Sequence, residues 1–344
     1  MPNVTMSQIA EAAGVSQATV SFVLNGRERA NGSISADTSD RVQKVAQELG
    51  YRPNRSARAL ATGKSNLVGL CMWNLAAAHY ADVTRHVESN LQTSTFHLLV
   101  SCLKSKRQEN DPQLFQAIFP WPLDGVLALE ATTVLSTHWE TFHNWPAPIV
   151  SMGGTNYRIE NLDYVGIDLA AGVRQAVAHL MTAGCRRIAF ASQKETVKRK
   201  ELRAVTYSKS MRQHRAPTEY IPLSGNNRAA ARADIKSYVE EHGCPDGILC
   251  FNDEVALGSY RGLCDLGIQV PQKVALIGCD GIEDTEFLEC PITTIVQPVE
   301  EMCGLAWDIL QERIKNPRKK LTQKVLLSQL AIRDSSLYFG GKIK

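Results

Sequence analysis

The chain of 344 residues predicts an N-terminal all-α helix-turn-helix head followed by an α/β core built on parallel sheets. Three observations carry that prediction. Two short amphipathic segments flank Gly14 near the start, and from Leu67 onward apolar runs of strand length alternate with helical stretches. Positive charge gathers at one end: residues 1–64 hold eight Lys or Arg against five acids, the whole of the net charge of +3. A basic head on a neutral body suits a polyanion, because neutralising phosphates releases their counterions. The length exceeds one ordinary core, so more than one domain is expected.

In the head, Thr5 can cap a helix while Gln8, three residues on, reaches back as in a capping box, with Val4 and Ile9 as the apolar staple. Ile9, Ala10 and Ala13 face inward, and Gly14 supplies the left-handed turn. Ser16 caps a second helix over about 17–24 with Val20 and Leu24 inward. Gln17, Ala18, Ser21 and Phe22 are free to face outward, which suits a helix entering a major groove. Thr5, Ser16, Thr19, Asn25 and Tyr51 complete the expected DNA-facing set, and the loop holding Arg27 and Arg29 either adds phosphate contacts or is a mobile insertion. A third helix runs from Ala36 to Leu49, capped by Ser35, apolar at Val42, Val45, Ala46 and Leu49, and closed by Gly50.

Tyr51 to Gly63 reads as a segment capped at Asn54 and too short to be a stable helix alone. It carries Arg55, Arg58 and a lone Leu60, the mixture a minor-groove wedge requires. A linker whose Leu60 packs on the body is the alternative.

Strands are expected at 67–73, 96–102, 124–130, 148–152, 187–192, 246–251 and 273–278, with helices such as 169–183, 227–242 and 253–266 between them. Open parallel sheets bind ligands beyond the carboxyl ends of their strands. His79 and Tyr80, Asn252 and Asp253, and Asp280 all follow strands. Each alone reads as a helix cap; their shared position points to a ligand.

No Gly-x-Gly-x-x-Gly follows a strand, and no phosphate loop, nucleophile elbow or metal-spaced histidine pair occurs, so neither an enzyme nor a cofactor or metal is expected. A binding protein without DNA function is the other class of reading, which the head opposes. The nine cysteines include no Cys-x-x-Cys and mostly sit in apolar runs, as buried reduced thiols do. No apolar run is long enough to cross a membrane and no basic-then-apolar leader opens the chain, so the cytoplasm is the expected location.

Val4-Thr5-Met6-Ser7-Gln8-Ile9 through Gly14-Val15-Ser16-Gln17-Ala18-Thr19-Val20-Ser21, then Ala46-Gln47-Glu48-Leu49-Gly50-Tyr51-Arg52-Pro53-Asn54 and Ala57 to Leu60, closely resemble the opening of the LacI/GalR family of bacterial transcriptional regulators. Asp124-Gly125-Val126, Gly184-Cys185-Arg186-Arg187-Ile188, Asn252 to Gly258, Val270-Pro271, Gly278-Cys279-Asp280, Ile292 to Ile295 and Leu330 to Ser335 resemble its core. The resemblance implies a head at 1–50, a hinge helix at 51–64, and a two-lobed core like periplasmic sugar-binding proteins. Its N-terminal lobe would span 65–163 and 294–325, and its C-terminal lobe 164–293 and 326–340. It also implies a repressor that binds pseudo-palindromic operator DNA as a homodimer. A small polar effector, a sugar or related metabolite, would sit between the lobes.

Carried over by position, Leu60 is the wedge, with Asn54, Arg55 and Ala57 beside it on DNA. Arg203, Asn252, Asp280 and Gln297, with the His79 and Tyr80 pair, match effector positions. Departures are Phe22 where an arginine is common, a longer Gly26–Ile34 loop, Thr206 where glycine is usual, and Gly153 where some members keep an acid. No heptad follows Ser336, so a dimer rather than a tetramer is expected.

Overall fold

The computed structural model describes residues 4–24, 34–52, 59, 62–102, 122–130, 135, 145–154 and 161–337. It divides into two compact units, 1–65 and 66–344.

Three helices of the head lie wholly within the described residues: α1 (Met6–Ala13), α2 (Gln17–Leu24) and α3 (Ala36–Glu48). The capping box is formed: Thr5 Oγ1 accepts from the Gln8 N–H, and Gln8 Oε1 accepts from the Thr5 N–H at 2.9 Å. Gly14 closes α1 at φ 65, and the Val15 N–H donates to Ala10 O at 3.0 Å, a turn that a side chain would strain. Ile9, Ala10, Ala13, Val20, Val23, Val42 and Ala46 form the head's own apolar core. The expected inward Leu24 is only half-buried; Val23 takes the deeper place, one residue closer to the face shared with Val20. Leu49, read as an apolar helix position, is instead the cap of α3 and 42% exposed, because the chain turns away at left-handed Gly50.

The larger unit contains two six-stranded sheets. Strands β1 (Leu67–Met72), β2 (His97–Cys102), β3 (Gly125–Leu129), β4 (Ile149–Gly154), β5 (Asp163–Asp168), β6 (Ile188–Gln193), β7 (Glu219–Leu223), β8 (Gly247–Cys250), β9 (Ala275–Asp280), β10 (Thr293–Val296), β11 (Gln323–Leu327) and β12 (Gln329–Ala331) follow in chain order. The first sheet runs β11-β5-β4-β3-β1-β2 and the second β12-β10-β9-β8-β6-β7. Among the described residues every pairing is parallel except that of β10 with β12. Central strands such as β3, β4 and β8 are buried along their whole length, as sheets covered on both faces require.

The chain passes between the sheets after Asp168, Val296 and Leu327. The lobe limits expected at 163, 293 and 325 fall a few residues short of these points, because each strand completes its ladder before the chain turns away. The helices that matter for the site are α4 (Ala78–Leu91), α5 (Leu169–Thr182), α6 (Lys194–Lys198), α7 (Leu202–Gln213), α8 (Arg228–His242), α9 (Asp253–Asp265) and α10 (Val299–Lys315).

Two clasps tie distant segments together. Arg313 on α10 donates to both oxygens of Asp163, which also accepts from the Thr322 N–H at 2.7 Å. Ser335 Oγ donates to Leu276 O at 2.5 Å and accepts from the Thr293 N–H at 2.8 Å, anchoring the C-terminal segment to β9 and β10. All nine cysteines are free, and burial pushes the thiols of Cys71, Cys185, Cys250 and Cys303 up to about 12, which keeps them protonated.

Candidate functional site

In the head, the turn between α1 and α2 presents the residues expected to meet DNA. Gln17 and Ala18 are exposed at the start of α2, and Ser16 is exposed just before it. Ser16 Oγ accepts from the Thr19 N–H at 3.1 Å and shares a 2.9 Å hydrogen bond with the Thr19 hydroxyl, so both residues help hold the helix start. Thr5 is likewise engaged in its capping box. Ser21 and Phe22 are half-buried, and Tyr51 packs against the head core. Asn25, Arg27, Arg29, Asn54, Arg55, Ala57, Arg58 and Leu60 lie outside the described residues. The Gly63 N–H donates to Ala59 O at 2.8 Å, and Gly63 is left-handed at φ 69.

In the larger unit the candidate ligand residues converge from the carboxyl ends of strands in both sheets. Burial pushes the Asp280 carboxyl up, His79 and Arg203 pull it back, and Glu130 pushes it up again. His79, Arg203 and Glu130 therefore all act on Asp280, although the four side chains come from α4, α7, the end of β3 and β9. His79 is 8% exposed, on the first turn of α4 beside Ala78, which packs on the apolar cluster of the second sheet. Its ring meets Tyr80 edge-on at 5.7 Å.

Arg203 is the most constrained of the set. Its Nε donates to Glu201 Oε1 at 2.9 Å and its Nη1 to Phe251 O at 2.9 Å, with the guanidinium 3.6 Å above the Phe251 ring. Glu201 also caps α7 by accepting from the Arg203 N–H. Burial opposes the Arg203 charge, but Glu201, Asp280 and Glu130 outweigh it and hold the group cationic.

Asn252 has a divided role. Its Oδ1 accepts from the Val255 N–H at 2.8 Å and caps α9, and among the described residues the amide nitrogen makes no hydrogen bond. Asp280 Oδ1 accepts from Gln297 Nε2 at 2.8 Å, which orients both residues at the passage between sheets.

Asp253, weighed in the sequence as a cap or a ligand group, is neither. Fully buried, it accepts from the Gly281 and Ile282 N–H groups at 2.7 and 2.9 Å and from the Thr294 hydroxyl at 2.6 Å, so it fastens the loop that carries Asp280. Gly278 leaves room for it: a Cβ there would lie 2.0 Å from Asp253 Oδ1. Burial and then the Asp280 charge lift Asp253 to about 7, against those three hydrogen bonds.

Sequence reasoning missed Glu130 and Glu201. Glu130 ends an apolar run at a strand's carboxyl end, the same signal that picked out Asp280. Glu201 was detectable as an acid in cap position before α7, but not as the partner of Arg203. Among the described residues no group of His, Cys, Asp or Glu is arranged to hold a metal ion, and no helix is long and apolar enough to cross a membrane.

Comparison with known proteins agrees with both halves of this arrangement. Residues 5–54 match the bacterial regulatory proteins of the lacI family, and residues 177–336 match the periplasmic binding protein-like domain. Catabolite control protein A of Staphylococcus epidermidis is 25% identical over 333 residues, covering 94% of this chain and 97% of the relative. The ribose operon repressor of Haemophilus influenzae is 26% identical over 333 residues, covering 96% and 98%. The crystal structure of the lac repressor dimer bound to operator and the anti-inducer ONPF shares the fold, with a TM-score of 0.81 at 22% identity over 97% of this chain and 99% of that one. With the helix-turn-helix motif at its start and the binding-protein core after it, the chain belongs to the lacI family of bacterial regulatory proteins.

Proposed function

We propose that this protein is a sequence-specific transcriptional repressor of the cytoplasm, without catalytic activity. It binds a pseudo-palindromic operator as a homodimer, and a small polar effector, a sugar or related metabolite, modulates its affinity for DNA. The observation that carries the reading is the cleft: His79, Arg203, Asp280 and Gln297, all less than a tenth exposed or oriented by one another, converge from both sheets in a chain whose head is a helix-turn-helix. Donors and acceptors in such a half-apolar setting suit a polyol's hydroxyl groups.

Gln17 and Ala18 read base edges from α2, Ser16, Thr19 and Thr5 are assigned to the same interface, and Arg27, Arg29, Asn54, Arg55, Ala57 and Arg58 are assigned to the DNA with Leu60 as the minor-groove wedge. Phe22 in place of an arginine removes a guanine-reading fork and alters operator choice. Effector binding shifts lobe closure, and closure alters the spacing of the two heads; a coupling of roughly 1–3 kcal/mol is the usual range for such linkage.

The test is selection of bound sites from a random DNA library with the full-length chain, then titration of the best site against a panel of sugars and central metabolites. A palindromic site and a compound that shifts its affinity support the reading. No enriched site overturns it.

A further inference from the structure

The carboxyl end of β3 holds a carboxylate that the reading above leaves unused. Glu130 stands at φ 52, in the left-handed region that a residue with a long side chain rarely adopts. Three contacts keep it there: its N–H donates to Met152 O at 2.9 Å, its carbonyl accepts from Trp73 Nε1 at 2.9 Å, and its Oε2 accepts from the Tyr80 hydroxyl at 2.7 Å. The neighbouring strand makes way for it. Gly153 lies at φ 122, and a Cβ there would come within 2.8 Å of Glu130 Cγ, so the space beside β4 belongs to the glutamate. Its other oxygen, Oε1, has no hydrogen-bond partner among the described residues.

The charges then fall out of balance in one direction. The Arg203 cation is matched by Glu201 at 2.9 Å. Among the described residues Glu130 has no cationic partner, whereas Asp280 has His79 acting on it, and Glu130 acts on both Asp280 and Arg203. An ionised carboxylate only accepts hydrogen bonds, so the open oxygen of Glu130 suits a ligand that donates. Hydroxyl and ammonium groups donate; phosphate and carboxylate groups do not, and they bring like charge besides.

From this geometry we infer that Glu130 is a specificity-determining residue that sorts ligands of the cleft by charge, admitting amine-bearing and uncharged polyols and rejecting phosphorylated or carboxylated ones. The inference rests on the cleft being the effector site.

The test is isothermal titration of the full-length chain with matched series: glucose, glucosamine, glucuronate and glucose 6-phosphate; galactose, galactosamine and galacturonate; ribose and ribose 5-phosphate. Within any series that binds, the amino or uncharged member is expected to bind at least tenfold more tightly than its anionic counterpart. Glu130→Gln keeps the size and the acceptor for Tyr80, so its melting temperature should match the parent's while the gap narrows at least tenfold. An anionic member binding as tightly as its uncharged counterpart overturns the inference and leaves the effector cleft standing. A gap unchanged in Glu130→Gln removes Glu130 from the role. If no series binds while the chain still selects DNA, the polyol cleft falls, and this inference with it.

Discussion

The head and the cleft divide their labour differently. In the head, the apolar side chains of the core and the exposed side chains that open α2 are separate sets: Ile9, Val20, Val23 and Val42 are buried, whereas Gln17 and Ala18 are exposed. In the cleft one set does both jobs. Arg203 pairs with Glu201 and the Phe251 carbonyl, Asn252 caps α9, and Asp280 holds Gln297. A surface that reads a long polymer can be altered without disturbing its support, but a cleft built from buried polar groups cannot, since each must satisfy its neighbours before any ligand arrives.

The sharpest way to break that contrast is Arg203→Met. Removing the guanidinium leaves Glu201, 10% exposed, without its cation, and breaking one side of a buried pair costs about 3–5 kcal/mol. Urea unfolding of the larger unit should show that loss together with loss of ligand response. A variant of full stability that merely fails to bind would separate the two roles. Next in size is Val20→Ala, fully buried in the head, at about 2 kcal/mol for the lost methyl groups and the cavity. It should weaken DNA binding and leave ligand titration of the core unchanged, because the two units have separate cores.

Gln17→Ala sharpens the contrast from the other side. Exposed and without a role in the head's core, it should leave the melting temperature unchanged while specific operator affinity falls by about tenfold, or ~1.4 kcal/mol. Equal loss on non-specific DNA would mean that Gln17 touches phosphate rather than base.

The smallest effect is a slope. Asp253 holds its proton to about 7 in the folded chain against an ordinary value of 3.8, so the folded state binds more protons and this group's stabilisation is complete below the unfolded value. It is lost as pH rises through about 7. Urea midpoints of the parent should therefore fall relative to those of Asp253→Asn between acid and neutral pH. Parallel profiles would show Asp253 ionised throughout.

The legible and the illegible parts of the chain differ for physical reasons. Helices α5, α8 and α9 and the strands β1, β3, β6 and β8 were readable because a buried face imposes its period on consecutive residues. The strands β5, β7, β10, β11 and β12 escaped notice, β5 and β10 although they are almost wholly buried. β7 and β11 edge their sheets, where one side is open: β7 carries Pro222, and β11 leaves Val325 and Leu327 52% and 64% exposed. Their composition reports solvent as much as sheet. The places where the chain exchanges sheets were likewise misjudged by a few residues, since a strand's hydrophobic run says nothing of which sheet it joins.

The head's design is local: a threonine three residues before a glutamine, a glycine at the turn and a serine before the next helix act over a few peptide bonds, so their order in the chain is enough to establish helix, turn and helix. The strand-end rule located His79, Asn252 and Asp280 individually. Folding alone decided that Glu130 stands against Tyr80 in the space Gly153 leaves, that Glu201 occupies Arg203, and that Asp253 serves the loop rather than the ligand. Those pairings join residues from different strands and helices, and hydrogen bonds and charge depend on distance in space, which the order of residues along the chain does not contain.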